Sequence, residues 1–100
     1  MSVLIVGKFA GDTGKFRQAL TDRASEFAEI GERAKGAGAI HHQFGMGDGF
    51  VLVVDEWESV EHFHKFFSDP SLQQFIASTG AAPRPPELLI AEAVSSSDQF

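Results

Sequence analysis

One hundred residues is the size of one domain, and a chain of that length buries roughly two-thirds of its unfolded surface around a single core. A formal charge of −6 with no basic stripe counts against nucleic-acid backbones and anionic membrane surfaces as partners. The chain has no cysteine, which excludes disulfides, thiolate metal sites and thiol catalysis, and its ten Phe and one Trp with no Tyr suit a dry interior or an apolar pocket.

Val3 to Phe9 reads as a first strand, β-branched and apolar, closed by Gly11-Asp12. The opening apolar run has no basic region and is far too short for a signal peptide or a membrane span, so a cytoplasmic protein is expected. Asp12 or Thr13 can cap a helix in which Phe16, Leu20, Phe27, Ile30 and Ala34 recur near the 3.6 period, with Gly36 placed to stop it. This spacing predicts one continuous first helix. Ala39 to Phe44 is a second strand, Gly45 to Gly49 a turn, and Phe50 to Trp57 a third strand completing an antiparallel hairpin. A second helix opens after Ser59 with Val60, Phe63 and Phe67 on one stripe. It breaks at Ser68-Asp69-Pro70 and resumes from Ser71 to Ser78. After a proline-rich connection, Leu88 to Val94 is the last strand, and the polar residues 95–100 form a tail.

The order is βαββαβ: an α+β, ferredoxin-like domain over residues 1–94 with a four-stranded antiparallel sheet. In a lone domain of this kind both helices cover one face, and the wet face should alternate apolar with polar. Here Val3-Leu4-Ile5-Val6, Phe50-Val51-Leu52-Val53-Val54 and Leu88-Leu89-Ile90-Ala91 are unbroken apolar runs. Both faces are therefore expected to be dry, the second by pairing with another copy of the chain as a homodimer.

The string FVLVVDEWESVEHFHKFFSDP, Phe50 to Pro70, pairs a strand ending in acid-x-Trp with a helix that opens on Ser and closes on Ser-Asp-Pro. In this it resembles the antibiotic-biosynthesis-monooxygenase-like group of the dimeric α/β-barrel superfamily, and Gly38 and the proline-rich run before strand 4 fit the same plan. The resemblance implies a ferredoxin-like subunit whose sheet packs on its twin, with a ligand cleft between sheet and helices. Members include cofactor-independent oxygenases of polycyclic aromatics, haem-degrading enzymes and quinone-directed monooxygenases. Trp57 matches the tryptophan that ends strand 3. The position nine residues on, where many members carry a His or a second Trp, is Phe66; strand 1 lacks the Asn of haem-degrading members; and no His lies near Phe75 or Ile76. These departures count against haem degradation, and no cofactor or metal is expected.

Four histidines are the candidates for proton transfer. His41 and His42 are strand neighbours and must point to opposite faces, one toward the helices and one toward the second subunit. His64 borders the Val60-Phe63-Phe67 stripe and could look into the cleft. His64 and His42 are accordingly the candidate bases, for an oxygenase that lacks a cofactor needs a base to make an electron-rich substrate anion. Each could equally be a structural imidazole. A metal site built from a strand-2 His, His64 and Asp55 or Glu56 has no supporting ligand spacing. Asp55 and Glu56 lie on opposite faces, so at least one meets an interior, in a hydrogen bond or an ion pair with a group such as Lys8 or Arg23. Trp57, Phe44, Phe63, Phe66, Phe67 and Phe75 are candidate walls of an aromatic pocket, or plain core.

Three functions fit: a monooxygenase acting on an aromatic or quinone-like molecule, a non-catalytic dimeric module that binds a small apolar ligand, or an interaction protein whose cleft is filled by its own side chains. An open cavity holding both a histidine and Trp57 favours the first.

Overall fold

β1 (Val3–Ala10) lies at the centre of the fold, and its side chains alternate between the two sheet faces. It pairs antiparallel with β3 (Phe50–Trp57) on one side and β4 (Glu87–Glu92) on the other, while β2 (Ala39–Gly47) pairs with the outer edge of β3. The strand order is thus β2-β3-β1-β4, all antiparallel, as the ferredoxin-like reading requires. The structure is a computed structural model that describes all 100 residues, Met1–Phe100.

Four helical segments cover one face. α1 (Thr13–Asp22) begins where the Asp12 carboxylate accepts the Lys15 backbone N–H at 3.0 Å. α2 (Ala24–Gly36) follows after a single non-helical residue, Arg23, at φ −122° and ψ 32°. The expected continuous first helix is therefore two helices. The cause lies in the packing: a straight helix would set Phe16 and Phe27 about 16 Å apart along its axis, yet their rings meet edge-to-face at 6.0 Å. The bend lets both rings join Phe44 and Phe75 in one cluster. Arg23 holds the joint. Its guanidinium bonds Glu26 and the Ser78 hydroxyl and lies 4.4 Å from the centre of the Phe75 ring.

The second helical region breaks where the sequence predicts. α3 (Val60–Phe67) is capped by Ser59, whose hydroxyl accepts the His62 N–H, and α4 (Pro70–Ser78) starts with Pro70 just inside the Asp69 cap. β2 runs three residues further than expected, to Gly47, because only Asp48 and Gly49 make the turn, with Gly49 at φ +79°. β4 stops at Glu92 instead of Val94: its partner β1 begins at Val3, so beyond Ala93, which bonds the Ser2 carbonyl, there is no strand left to pair with.

Ile5, Trp57 and Phe63 form the tightest part of the core, with Val3, Ala34 and Phe66 packed against it. Burying side chains of this size contributes about 1.5–3 kcal/mol each. The opposite sheet face carries no helix. There Leu4, Val54 and Leu89 remain 46%, 39% and 73% exposed.

Candidate active site

The helices do not close down on the sheet. Between them lies a cleft of about 730 Å³ whose wall is two-thirds hydrophobic, 22 of 33 residues. That volume falls within the range of small-molecule sites. All six aromatic residues singled out in the sequence, Trp57, Phe44, Phe63, Phe66, Phe67 and Phe75, line it. They fall into two groups. Trp57, Phe63, Phe66 and Phe67 pack on one another at one end, and Phe44 and Phe75 join Phe16 and Phe27 at the other.

Between the two groups stands a polar trio. His42 on β2 is directly opposite Asp55 on β3, and Trp57 lies two residues further along β3 on the same face. His42 Nδ1 is 2.6 Å from Asp55 Oδ1, and the indole Nε1–H of Trp57 donates to Asp55 Oδ2 at 3.0 Å. Asp55 is only 7% exposed, so these two bonds satisfy a carboxylate that has almost no water. The edge-to-face contact of the His42 ring with Phe44, centroids 4.7 Å apart, fixes its plane. His42 Nε2 makes no hydrogen bond within the chain. The arrangement is a half-exposed imidazole, oriented by a buried carboxylate, at an aromatic cavity.

The other candidates lie elsewhere. His64 is exposed on α3, its ring tilted against Phe63, and it does not line the cleft. Phe63, Phe66 and Phe67 all turn inward, so the buried stripe centres near Phe63 and Phe66, leaving His64 roughly 100° away on the wheel. His41 pairs in register with Glu56, on the face away from the helices. The conceivable metal set with His64 is not assembled, and no group of three or more His, Asp or Glu side chains is placed to hold an ion.

Asp55 is the acid that meets an interior, and it is hydrogen-bonded there as expected, but neither Lys8 nor Arg23 is the partner. Lys8 lies over the Phe50 ring at 4.7 Å, and Arg23 is engaged with Glu26 and Ser78. Glu56, on the other face, accepts the Ser2 hydroxyl at 2.6 Å. The His42–Asp55 pairing was missed, although a two-residue Asp48-Gly49 turn, counted back along the hairpin, sets those residues opposite each other.

These features define an antiparallel α+β domain of ferredoxin-like topology with an aromatic cleft under its helices. More particularly, the chain has the fold of the antibiotic-biosynthesis-monooxygenase-like structures. The monooxygenase ActVA-Orf6 of Streptomyces coelicolor, solved with the ligand nanaomycin D, superposes with a TM-score of 0.68 at 17% identity over 95% of this chain and 89% of that one. The cofactor-independent oxygenase SnoaB of Streptomyces nogalater gives 0.60 at 12% identity over 98% of each chain. Rv0793 of Mycobacterium tuberculosis gives 0.58 at 11% identity over 98% of this chain and all of that one. At these identities the likeness establishes the fold. No family model matches the sequence, and no curated protein is similar to it. No helix is long and apolar enough to cross a membrane.

Proposed function

We propose that this chain is a cofactor-independent monooxygenase acting on an aromatic or quinone-like small molecule, with His42 as its base. One observation carries the reading: an imidazole hydrogen-bonded to a buried carboxylate at a cleft whose wall is predominantly apolar and rich in aromatic rings. The fold shared with SnoaB and ActVA-Orf6 supports it. His42 Nε2 would remove a proton from an activated methylene or hydroxyl of the bound ring system. The resulting anion gives one electron to O₂, the radical pair combines to a hydroperoxide, and the imidazolium returns its proton as water leaves. For a methylene substrate the sum is R₂CH₂ + O₂ → R₂C=O + H₂O. Apolar walls suit this chemistry, because they hold a flat substrate and keep bulk water from the anion.

The same proposal includes a homodimer through the open sheet face, where the exposed Leu4, Val54 and Leu89 lie beside the half-buried Val6 and Leu52. A cytoplasmic location belongs to it as well, in keeping with an acidic, cysteine-free chain.

The test is oxygen consumption with a panel of hydroquinones and anthrones. His42→Ala should lower turnover by roughly 10²–10⁴-fold, the contribution of a positioned base, while His64→Ala, outside the cleft, should leave it unchanged. Unaltered turnover in His42→Ala removes the base. Ligand binding without any oxygen uptake would favour the non-catalytic binding module, for which the same cleft suffices.

A further inference from the structure

We infer that Trp57 is a positioning residue that acts on His42 through Asp55, rather than only a wall of the cleft. The Asp55 carboxylate is shared: one oxygen faces His42 Nδ1 at 2.6 Å and the other accepts the Trp57 indole N–H at 3.0 Å. A carboxylate has no proton to give, so at His42 the ring nitrogen facing it must be the donor. That places the ring proton on Nδ1 and leaves Nε2 as the lone-pair nitrogen, the only ring atom able to accept a proton from a ligand. The direction of that carboxylate is what Trp57 sets. Asp55 has two side-chain torsions, about Cα–Cβ and about Cβ–Cγ, that would let its carboxylate swing and turn, and the indole N–H pins the far oxygen.

Trp57 is itself held. It is 2% exposed, seated against Ile5 and Phe63, with the Phe66 ring 5.4 Å from its own. The chain of constraint therefore runs from the core, through an indole N–H and a carboxylate, to the face of an imidazole. Phenylalanine in its place would keep an apolar ring in the wall but leave the far Asp55 oxygen without a donor.

The inference deepens the role given to His42 above, but its primary test does not require any activity. Long-range ¹H–¹⁵N correlation of histidine-labelled protein at about pH 8, where imidazoles are neutral, reads the tautomer of His42 directly. Wild type should show the Nδ1–H form as the major species. Asp55→Asn and Trp57→Phe should each shift the ratio toward Nε2–H, by roughly tenfold for the first and less for the second. Phe66→Leu, which alters the Trp57 wall without touching the carboxylate, should leave the ratio as in wild type. The sole tryptophan gives one indole N–H signal, which should be slow to exchange in wild type and faster in Asp55→Ala, which removes its acceptor. A wild-type protein dominated by Nε2–H, or a folded Trp57→Phe with an unchanged ratio, overturns the inference; should Trp57→Phe not fold, an indole N–H that exchanges equally fast in wild type and Asp55→Ala overturns it. Where turnover is detected, Trp57→Phe should lower kcat more than it raises KM, and a rise in KM alone returns Trp57 to the role of a wall. Absence of any oxygen uptake with the tautomer shifts intact would sink the oxygenase and leave this positioning role standing.

Discussion

The cleft should discriminate sharply against charge on its ligand. Its titratable lining consists of Asp12, Lys35, His42 and Asp55, with His41 at its edge turning its side chain to the other sheet face. Asp12 is spent as the cap of α1, Asp55 is spent on His42 and Trp57, and Lys35 stands in solvent, 72% exposed, with its ammonium 3.1 Å from Glu32. The nearby cations are already paired, Lys35 with Glu32 and Arg23 with Glu26. A neutral phenol can place its hydroxyl on His42 Nε2 and bury its rings among the phenylalanines. The same molecule with a carboxylate at its far end would lose water from that group and gain no donor. Burying a polar group without a partner costs about 1–3 kcal/mol, and more when it is charged. At about 1.4 kcal/mol per decade that range is a loss of affinity of roughly 5–150-fold, and a charged group lies toward or beyond its upper end. Because Trp57 is the only tryptophan and lies in the cleft wall, its fluorescence reports occupancy without a label. The comparison is a titration with 2-naphthol against 6-hydroxy-2-naphthoate at the same pH and ionic strength. Equal affinity, or tighter binding of the carboxylate, would mean that a cation reaches the cleft or that ligands bind elsewhere, and the electrostatic reasoning would fail.

Further expectations concern assembly and stability. Val54→Lys or Leu89→Lys puts charge on the open sheet face, and should convert a sedimenting dimer into single subunits at micromolar concentration; a wild type that is already monomeric refutes the paired-sheet reading. At Gly11, where the chain leaves β1, an added Cβ would come 2.4 Å from the Gly80 carbonyl oxygen and 3.0 Å from the Ala81 Cα. Gly11→Ala should therefore lower stability by about 1–3 kcal/mol in chemical denaturation, since backbone on both sides must give way. The carboxyl of Asp69, which caps α4, is held below its ordinary range by the Ser71 backbone N–H, then the Ser71 hydroxyl, then the charge of Arg33. A depressed folded-state value means that the Asp69 contribution is present above the ordinary carboxylate range and is lost as pH falls through the lower, folded value. The stability gap between wild type and Asp69→Asn should thus be widest at neutral pH and shrink on acidification, and a gap independent of pH would show that the charge does not contribute.

Most of the architecture was legible from local chemistry. Apolar runs of β-prone residues marked β1, β3 and β4, the glycine-rich turn before β3 marked β2 as its hairpin partner, and the Ser68-Asp69-Pro70 break divided α3 from α4 because proline's ring and missing N–H act at their own position. Which rings turn inward was legible too, since helical period and strand alternation decide it, but whether they pack as plain core or leave a cleft was not. Periodicity could not show the bend at Arg23. A one-residue break leaves the apolar stripe almost in phase, and what draws the chain around is a ring contact between Phe16 and Phe27 that exists only in three dimensions.

The chemistry divides in the same way. That His41 and His42 face opposite sides follows from the pleat alone, whereas which of them meets the helices depends on hairpin register and on the bulge after Ala39. That His64 turns outward was decided by the rotation of α3 about Phe63 and Phe66, a matter of packing against β3 rather than of spacing. Sequence alone determined which residue types were at hand: four imidazoles, buried-type rings and an acid two places before the one tryptophan. Only the tertiary structure decided that His42, Asp55 and Trp57 share one carboxylate, because hydrogen bonds act over about 3 Å between groups that lie far apart along the chain until the strands are paired.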